Sequence, residues 1–350
     1  MPERKNKGNG TKTFLEFIIC LAVLGAGGYF VKKSVDNSKI IQSSDFSDSY
    51  TGEIIEENIE PEQPEFSVLS VSTDDVHSGE LILVNNDHQY MEAGKEDLVS
   101  ILEMNENNDR YFFTSVDYDY LIRRSVYEPM ARMIEAFYNQ YGIDNLVIYG
   151  SYRTNEFQKQ LYEADLESTG EETSTLVAKP GYSEHETGYA FDFSTTPDYE
   201  YDGTGEYSWF NENCEDYGFI MRYPEEKSDL TYIRYEPWHY RYVGIPHATY
   251  IMDNNICLEE YIDMLRNNYT YDYSHLSVTD HAGIEYEIYY CPASTDSEIT
   301  SIPVPSSDSY YVSGNNVDGF IVTVYKSSSG SVAEPETTEN EEVQEEEYSE

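Results

Sequence analysis

Residues 183–192 read S-E-H-E-T-G-Y-A-F-D, and the way this stretch folds decides the rest of the chain. Side chains alternate across a strand, so a strand over Tyr189–Phe193 puts Tyr189, Phe191 and Phe193 on one face and Ala190 with Asp192 on the other. The aromatic face packs inward. Small Ala190 leaves room beside Asp192, and Gly188 lets the chain turn so that His185 returns toward the same point.

Further along, E-P-W-H at 236–239 supplies a second histidine. Glu236 and His239 have opposite parity on a regular strand, but Pro237 belongs at a strand's start, where a bend brings both to one site. Upstream, Y-R-T-N-E-F-Q at 152–158 places Arg153 directly before a helix, a position that suits a cation only when an anion is also present. Catalytic zinc takes three protein ligands and leaves one position for water. His185, Asp192 and His239 are the expected ligands, with Glu236 the expected general base toward a metal-bound water. Arg153 is expected to orient substrate, while Gln158 and Ser183 are expected to hydrogen-bond it. His77, His88, His247, His275 and His281 fall in no paired pattern and read as structural.

Around these motifs the periodicity is that of an α+β domain. Val126, Met130, Met133, Ile134, Phe137, Tyr138 and Tyr141 recur at helical spacing up to Gly142, with Pro129 expected to start or kink the helix. Leu81–Val84 and Leu146–Tyr149 read as buried strands. Thr154 or Asn155 caps a helix that carries Phe157, Leu161 and Ala164 inward. Trp209, Phe210, Cys214 and Tyr217 mark another helix, stopped by Gly218, and short strands follow at Phe219–Tyr223 and Trp238–Val243. Beyond Asn267 the pattern becomes Tyr-rich alternation, as in Ile284–Tyr290 and Gly319–Tyr325, which reads as a small β appendage that covers an edge of the main domain or, alternatively, binds wall polymer.

The ends of the chain are different. Phe14–Val31 is a mostly apolar run of 18 residues, just long enough to cross a bilayer as a helix and expected to be an uncleaved anchor, the alternative being a signal peptide cleaved near Ala26–Gly28. Flanking lysines and arginines place residues 1–13 in the cytoplasm. Residues 32–74 read as an acidic, self-repelling tether and 327–350 as an acidic disordered tail. The catalytic domain is expected over 75–266 and the appendage over 267–326. With 21 Lys+Arg against 67 Asp+Glu, the formal charge of -46 repels phosphate backbones and excludes nucleic acid as a partner. Four cysteines without a CxxC spacing make neither a disulfide scaffold nor a cysteine zinc site, though one disulfide is possible outside the cell.

Together, L-I-L-V-N-N-D-H at 81–88, Y-R-T-N-E-F-Q, P-G-Y-S-E-H-E-T-G-Y-A-F-D from 180, Y-G-F-I-M-R-Y at 217–223 and E-P-W-H-Y-R-Y-V-G at 236–244 resemble the VanY-like D-alanyl-D-alanine carboxypeptidases, of the lysostaphin and hedgehog-like zinc group. The resemblance runs from about Glu80 to Leu265. It departs at G-S-Y-R, 150–153, where the family usually has S-G-Y-R. It implies a small, mostly antiparallel sheet flanked by helices, with zinc on His185, Asp192 and His239, Glu236 as base and Arg153 on substrate. The expectation is a single-pass membrane protein with its catalytic domain outside the cell, removing the terminal D-alanine from peptidoglycan stem peptides. The alternatives are an L,D-carboxypeptidase acting on tetrapeptide stems and a non-catalytic wall-binding scaffold of the same fold.

Overall fold

The computed structural model describes residues 65–326, apart from Ala93 and Lys95. The expected cytoplasmic segment, anchor, tail and residues 32–64 of the tether lie outside the described residues. Among those described, no helix is long and apolar enough to cross a membrane. In chain order the elements are β1 (Phe66–Ser72), β2 (Leu98–Ser100), α1 (Ile101–Asn107), β3 (Phe113–Ser115), β4 (Leu121–Arg123), α2 (Arg124–Tyr141), β5 (Leu146–Gly150) and α3 (Asn155–Thr169). They continue with β6 (Ala190–Thr195), α4 (Ser208–Asn213), β7 (Phe219–Met221), β8 (His239–Tyr242), α5 (Ile245–Asp253) and α6 (Leu258–Asn268). The C-terminal strands are β9 (Leu276–Thr279), β10 (Glu285–Pro292), β11 (Ile299–Pro305), β12 (Tyr310–Gly314) and β13 (Gly319–Lys326).

The central sheet has the order β3-β5-β6-β8-β7. Only its β3–β5 pair is parallel; the other pairs are antiparallel. Against it lies α2, which buries Val126, Tyr127, Met130, Ala131, Met133, Ile134 and Phe137. Phe137 meets Phe210 at 4.5 Å between ring centroids and Tyr207 at 5.6 Å. Burying each such large side chain stabilises the fold by about 1.5–3 kcal/mol. The expected stripe runs too far, since Tyr138 and Tyr141 are 37% and 39% exposed. Their rings lie over Phe112 and Phe137 at the rim, where an amphipathic tyrosine can keep its hydroxyl wet. Pro129 sits inside α2, not at its start.

Two further expectations are corrected. Residues Phe66–Ser72, expected within the tether, form β1 and pair antiparallel with β11 from Phe66↔Pro305 to Ser72↔Ile299. The segment F-S-V-L-S-V-S carries no charge and is rich in strand-forming residues, a local signal that the acidic stretch before it masks. Leu81–Val84 is buried but is not a strand. Its backbone groups are met singly, by the Ser313 hydroxyl on Leu81 N, Asn315 O on Leu83 N, and Arg241 and Asn316 side chains on Ile82 O and Leu83 O. A buried backbone must be paired, but it need not be paired by a ladder.

The appendage forms a four-stranded sheet, β12-β13-β10-β9, plus the β1–β11 ribbon. It shares a core with the catalytic domain: Ile288, Tyr290 and Ile321 pack in one cluster with Leu81, Leu83, Val243, Ile251 and Leu265. His247 of α5 is the buried polar point of this junction, hydrogen-bonded to Tyr261 at 2.7 Å, Tyr311 at 2.6 Å and Thr323 at 3.0 Å. Cys214, Cys257 and Cys291 are all buried free thiols, so no disulfide joins these three.

Candidate metal centre and active site

β6 is the element that builds the site. Tyr189, Phe191 and Phe193 face the core, where Phe193 meets Phe210 at 4.6 Å and Phe191 meets Phe219 at 5.3 Å. That alternation turns Asp192 to the other face, and the antiparallel register sets it directly opposite His239 on β8. Ala190 is opposite Arg241, so the small side chain makes room for a guanidinium as well as for Asp192. Before β6, Glu184–Thr187 form one 3-10 turn that ends at Gly188 with φ +73°, and this reversal carries His185 back over the strand. The expected bend at Pro237 is a turn closed by His239 N donating to Glu236 O at 3.2 Å, with proline in the second position that favours it.

His185, Asp192 and His239 come together, each offering a donor atom within 4.8 Å of the others, and all three are buried. His185 Nδ1 lies 2.8 Å from Ser151 O, a partner that can only accept, so Nδ1 carries the proton and Nε2 keeps its lone pair. That lone pair faces Asp192 Oδ2 across 3.2 Å. Two acceptors in contact repel unless a cation lies between them. On the other side His239 Nδ1 is 2.9 Å from Asp192 Oδ1. Donors bound at 2.0–2.2 Å to one tetrahedral ion are roughly 3.3 Å apart, so these separations and the N,N,O donor set fit a zinc-like cation. Gly150 is part of this fit: a Cβ at that position would collide with the Asp192 carboxylate. The order G-S at 150–151 therefore gives Asp192 its space and still leaves Ser151 O for His185.

The electrostatics follow from burial. Burial and the charge of Arg153 push His185 down to about 4, with Asp192 opposing. Burial would lower His239 as well, but hydrogen bonds and charge from Asp192 and Glu184 raise it to about 9. Asp192 would be raised by burial, yet the two imidazoles hold it well below the usual carboxylate range. The Nδ1 position of His239 thus takes either a proton or a metal, and metal binding there releases the proton. Glu236 is buried, and burial pushes its carboxyl up to about 8, with His239 opposing and Asp192 adding.

Arg153 reaches the same centre, with one amine 3.1 Å from Asp192 Oδ2 and the other 3.4 Å from Gln158 Oε1. Its side chain is still 20% exposed. Thr154 caps α3 by accepting from Phe157 N, as expected. The inward face of that helix differs from expectation: Gln158, Leu161 and Asp165 are buried, while Phe157 and Ala164 are only half-buried. Gln158 is 0% exposed and ties Arg153 to Ala178 O at 2.8 Å, so it stands behind the arginine and not at the surface of the site. Ser183 is also buried, at the head of the turn that carries His185, where its N–H donates to Glu186.

Comparison with known proteins gives the family. The family model for VanY, D-alanyl-D-alanine carboxypeptidase, matches residues 119–245. A D-alanyl-D-alanine carboxypeptidase of Enterococcus faecium is 34% identical over 261 residues, 74% of this chain and 79% of the relative. This chain belongs to the VanY family. Another relative, the bifunctional D-Ala-D-Ala dipeptidase and carboxypeptidase VanXYC of Enterococcus gallinarum, is 35% identical over 158 residues, 43% of this chain and 81% of the relative. Among solved structures, the vancomycin-resistance D,D-dipeptidase VanXYg, in complex with a D-Ala-D-Ala phosphinate analogue, aligns with a TM-score of 0.64 at 30% identity. That alignment covers 75% of this chain and 99% of VanXYg.

Sequence reasoning missed part of this VanY-type centre. Glu184 lies between Ser183 and His185 in the quoted motif, yet it was given no role; in the structure it is fully buried, with Oε2 3.4 Å from His239 Nε2. Burial would raise its carboxyl, but the charges of Arg222 and Arg241 hold it below the usual range. The sequence signal was slight: Arg241 lies within β8 and Arg222 directly follows β7, but Glu184 sits in a polar turn. Their pairing required the tertiary fold.

Proposed function

We propose that this chain is a zinc-dependent D,D-carboxypeptidase that removes the terminal D-alanine from peptidoglycan stem peptides. The observation that carries the zinc reading is the 3.2 Å contact between the His185 Nε2 lone pair and Asp192 Oδ2, with His239 Nδ1 completing the set. A zinc ion bound there supplies Lewis acidity and lowers the pKa of a coordinated water to about 7. Glu236 takes a proton from the attacking water and returns it to the leaving D-alanine nitrogen. Burial has raised its carboxyl to about 8, which suits a group that must accept and give a proton near neutral pH. Arg153, steadied by Gln158 and still partly exposed, is the cation that meets the C-terminal carboxylate of the peptide.

The D,D choice rests on membership of a family of D-alanyl-D-alanine carboxypeptidases and on relatives of that description. Placement outside the cell rests on the apolar run Phe14–Val31. The test is mass spectrometry of a mixture of muropeptide pentapeptide and tetrapeptide incubated with the protein, with and without chelator. Metal-dependent loss of one alanine from the pentapeptide alone is the expected result. Loss from the tetrapeptide would make it an L,D-carboxypeptidase, and no metal-dependent loss from either would leave a wall-binding scaffold.

A further inference from the structure

Behind the metal centre lies a closed ionic cluster. Glu184 Oε1 accepts from Arg222 Nε and from Arg241 at 2.8 Å each. The two amines of Arg222 run to Glu259 at 2.9 and 2.7 Å, and Glu259 also accepts from Asn85 at 3.0 Å. Arg241 spends its remaining donors on the backbone carbonyls of Glu80, Ile82 and Tyr242. Both guanidinium groups are fully buried, and two carboxylates balance their charge. Every strong donor aimed at Glu184 lands on Oε1, which leaves Oε2 to His239 Nε2 at 3.4 Å.

That division of labour has a chemical consequence for the imidazole. A carboxylate oxygen can only accept, so Glu184 Oε2 keeps a proton of His239 on Nε2, and Nδ1, 2.9 Å from Asp192 Oδ1, is the nitrogen left to exchange its proton for a metal. An orienting carboxylate behind a ligating histidine also makes that ligand more basic. Because Glu184 is itself clamped by two arginines, it cannot swing away when the imidazole moves. We propose that Glu184 is a positioning residue for the metal centre, fixing the tautomer and orientation of His239; this rests on the zinc reading given above.

The test compares Glu184→Gln with Glu259→Gln by competing zinc against a chromogenic chelator. Glutamine at 184 keeps the size but turns one acceptor oxygen into a donor, so either the arginines or His239 loses its acceptor. Glutamine at 259 weakens the same arginine cluster without touching His239. Zinc affinity should fall about 10- to 100-fold in Glu184→Gln and change little in Glu259→Gln. Equal losses in both variants, or none in Glu184→Gln, would overturn the positioning role while leaving the zinc reading intact. Wild-type protein that binds no zinc would overturn the zinc reading itself, and this inference with it. A second measurement does not depend on either variant folding. In zinc-loaded wild-type protein carrying 15N-histidine, two-bond proton–nitrogen correlations should show the His239 proton on Nε2 and the metal on Nδ1; the reverse assignment would overturn the proposal.

Discussion

Replacing Glu236 by glutamine should weaken catalysis and alter stability in a pH-dependent way, two effects with one cause. The Glu236 carboxyl is buried, and it is raised from 4.5 to about 8 because the charged form is poorly solvated there. The sign is that of a group destabilised by ionising: the unfolded chain loses this proton near pH 4.5 and the folded chain holds it until about pH 8, so the folded state is penalised progressively as pH rises between those values. At 1.36 kcal/mol per pH unit the penalty grows by about 3–4 kcal/mol between pH 5 and pH 8. Glutamine cannot ionise and lacks that slope. Urea unfolding of chelator-treated wild-type and Glu236→Gln proteins at several pH values should therefore give curves that diverge, the variant gaining on the wild type as pH rises. The same substitution should lower kcat by about 10² to 10⁴ with the metal in place, the usual loss on removing a general base. Parallel stability profiles, or a variant with wild-type turnover, would refute the reasoning.

Gly150→Ala replaces no ligand, yet its new Cβ would drive into the Asp192 carboxylate, so zinc affinity should fall together with about 1–3 kcal/mol of stability. Isothermal zinc titration and urea melts check both, and wild-type values for the two would show that the strand gives way freely. His247 is pushed down to about 3 by burial, so below its ordinary value of 6.5 the unfolded chain binds a proton that the folded chain refuses, and stability should fall as pH drops from 6.5 toward 3. At pH 5 the loss is about 2 kcal/mol relative to pH 7.5 or above. His247→Gln should remove that acid-side loss; an unchanged difference between pH 7.5 and pH 5 would mean that another group governs it.

Much of the site was readable in the sequence because it rests on local periodicity. Alternation in Tyr189–Phe193 fixed which way Asp192 points, Gly188 allowed the return of His185, and Pro237 set a bend; these are constraints within a few residues. The helix α2 was legible for the same reason, except at its C-terminal end. There Tyr138 and Tyr141 keep the helical spacing of the stripe but lie beyond the edge of the sheet that covers it. What remained hidden depended on partners distant in sequence. The strand at Phe66–Ser72 has meaning only beside Ile299–Pro305, and Leu81–Val84 gains its backbone partners from Arg241, Ser313, Asn315 and Asn316 instead of from a ladder. Gln158 reads as a polar residue near the substrate, whereas the fold buries it behind Arg153. Glu184 was hidden for the most basic reason: a buried carboxylate is intelligible only once the two arginines that neutralise it are in place.

The most direct test of the central claim is to count zinc per chain by inductively coupled plasma mass spectrometry while following D-alanine release from a pentapeptide. One zinc per chain should be found, chelation should remove metal and activity together, and added zinc should restore both; Asp192→Asn should hold far less metal at the same protein concentration. Full D-alanine release from protein stripped of zinc, or wild-type zinc content in Asp192→Asn, would contradict a metal held by His185, Asp192 and His239.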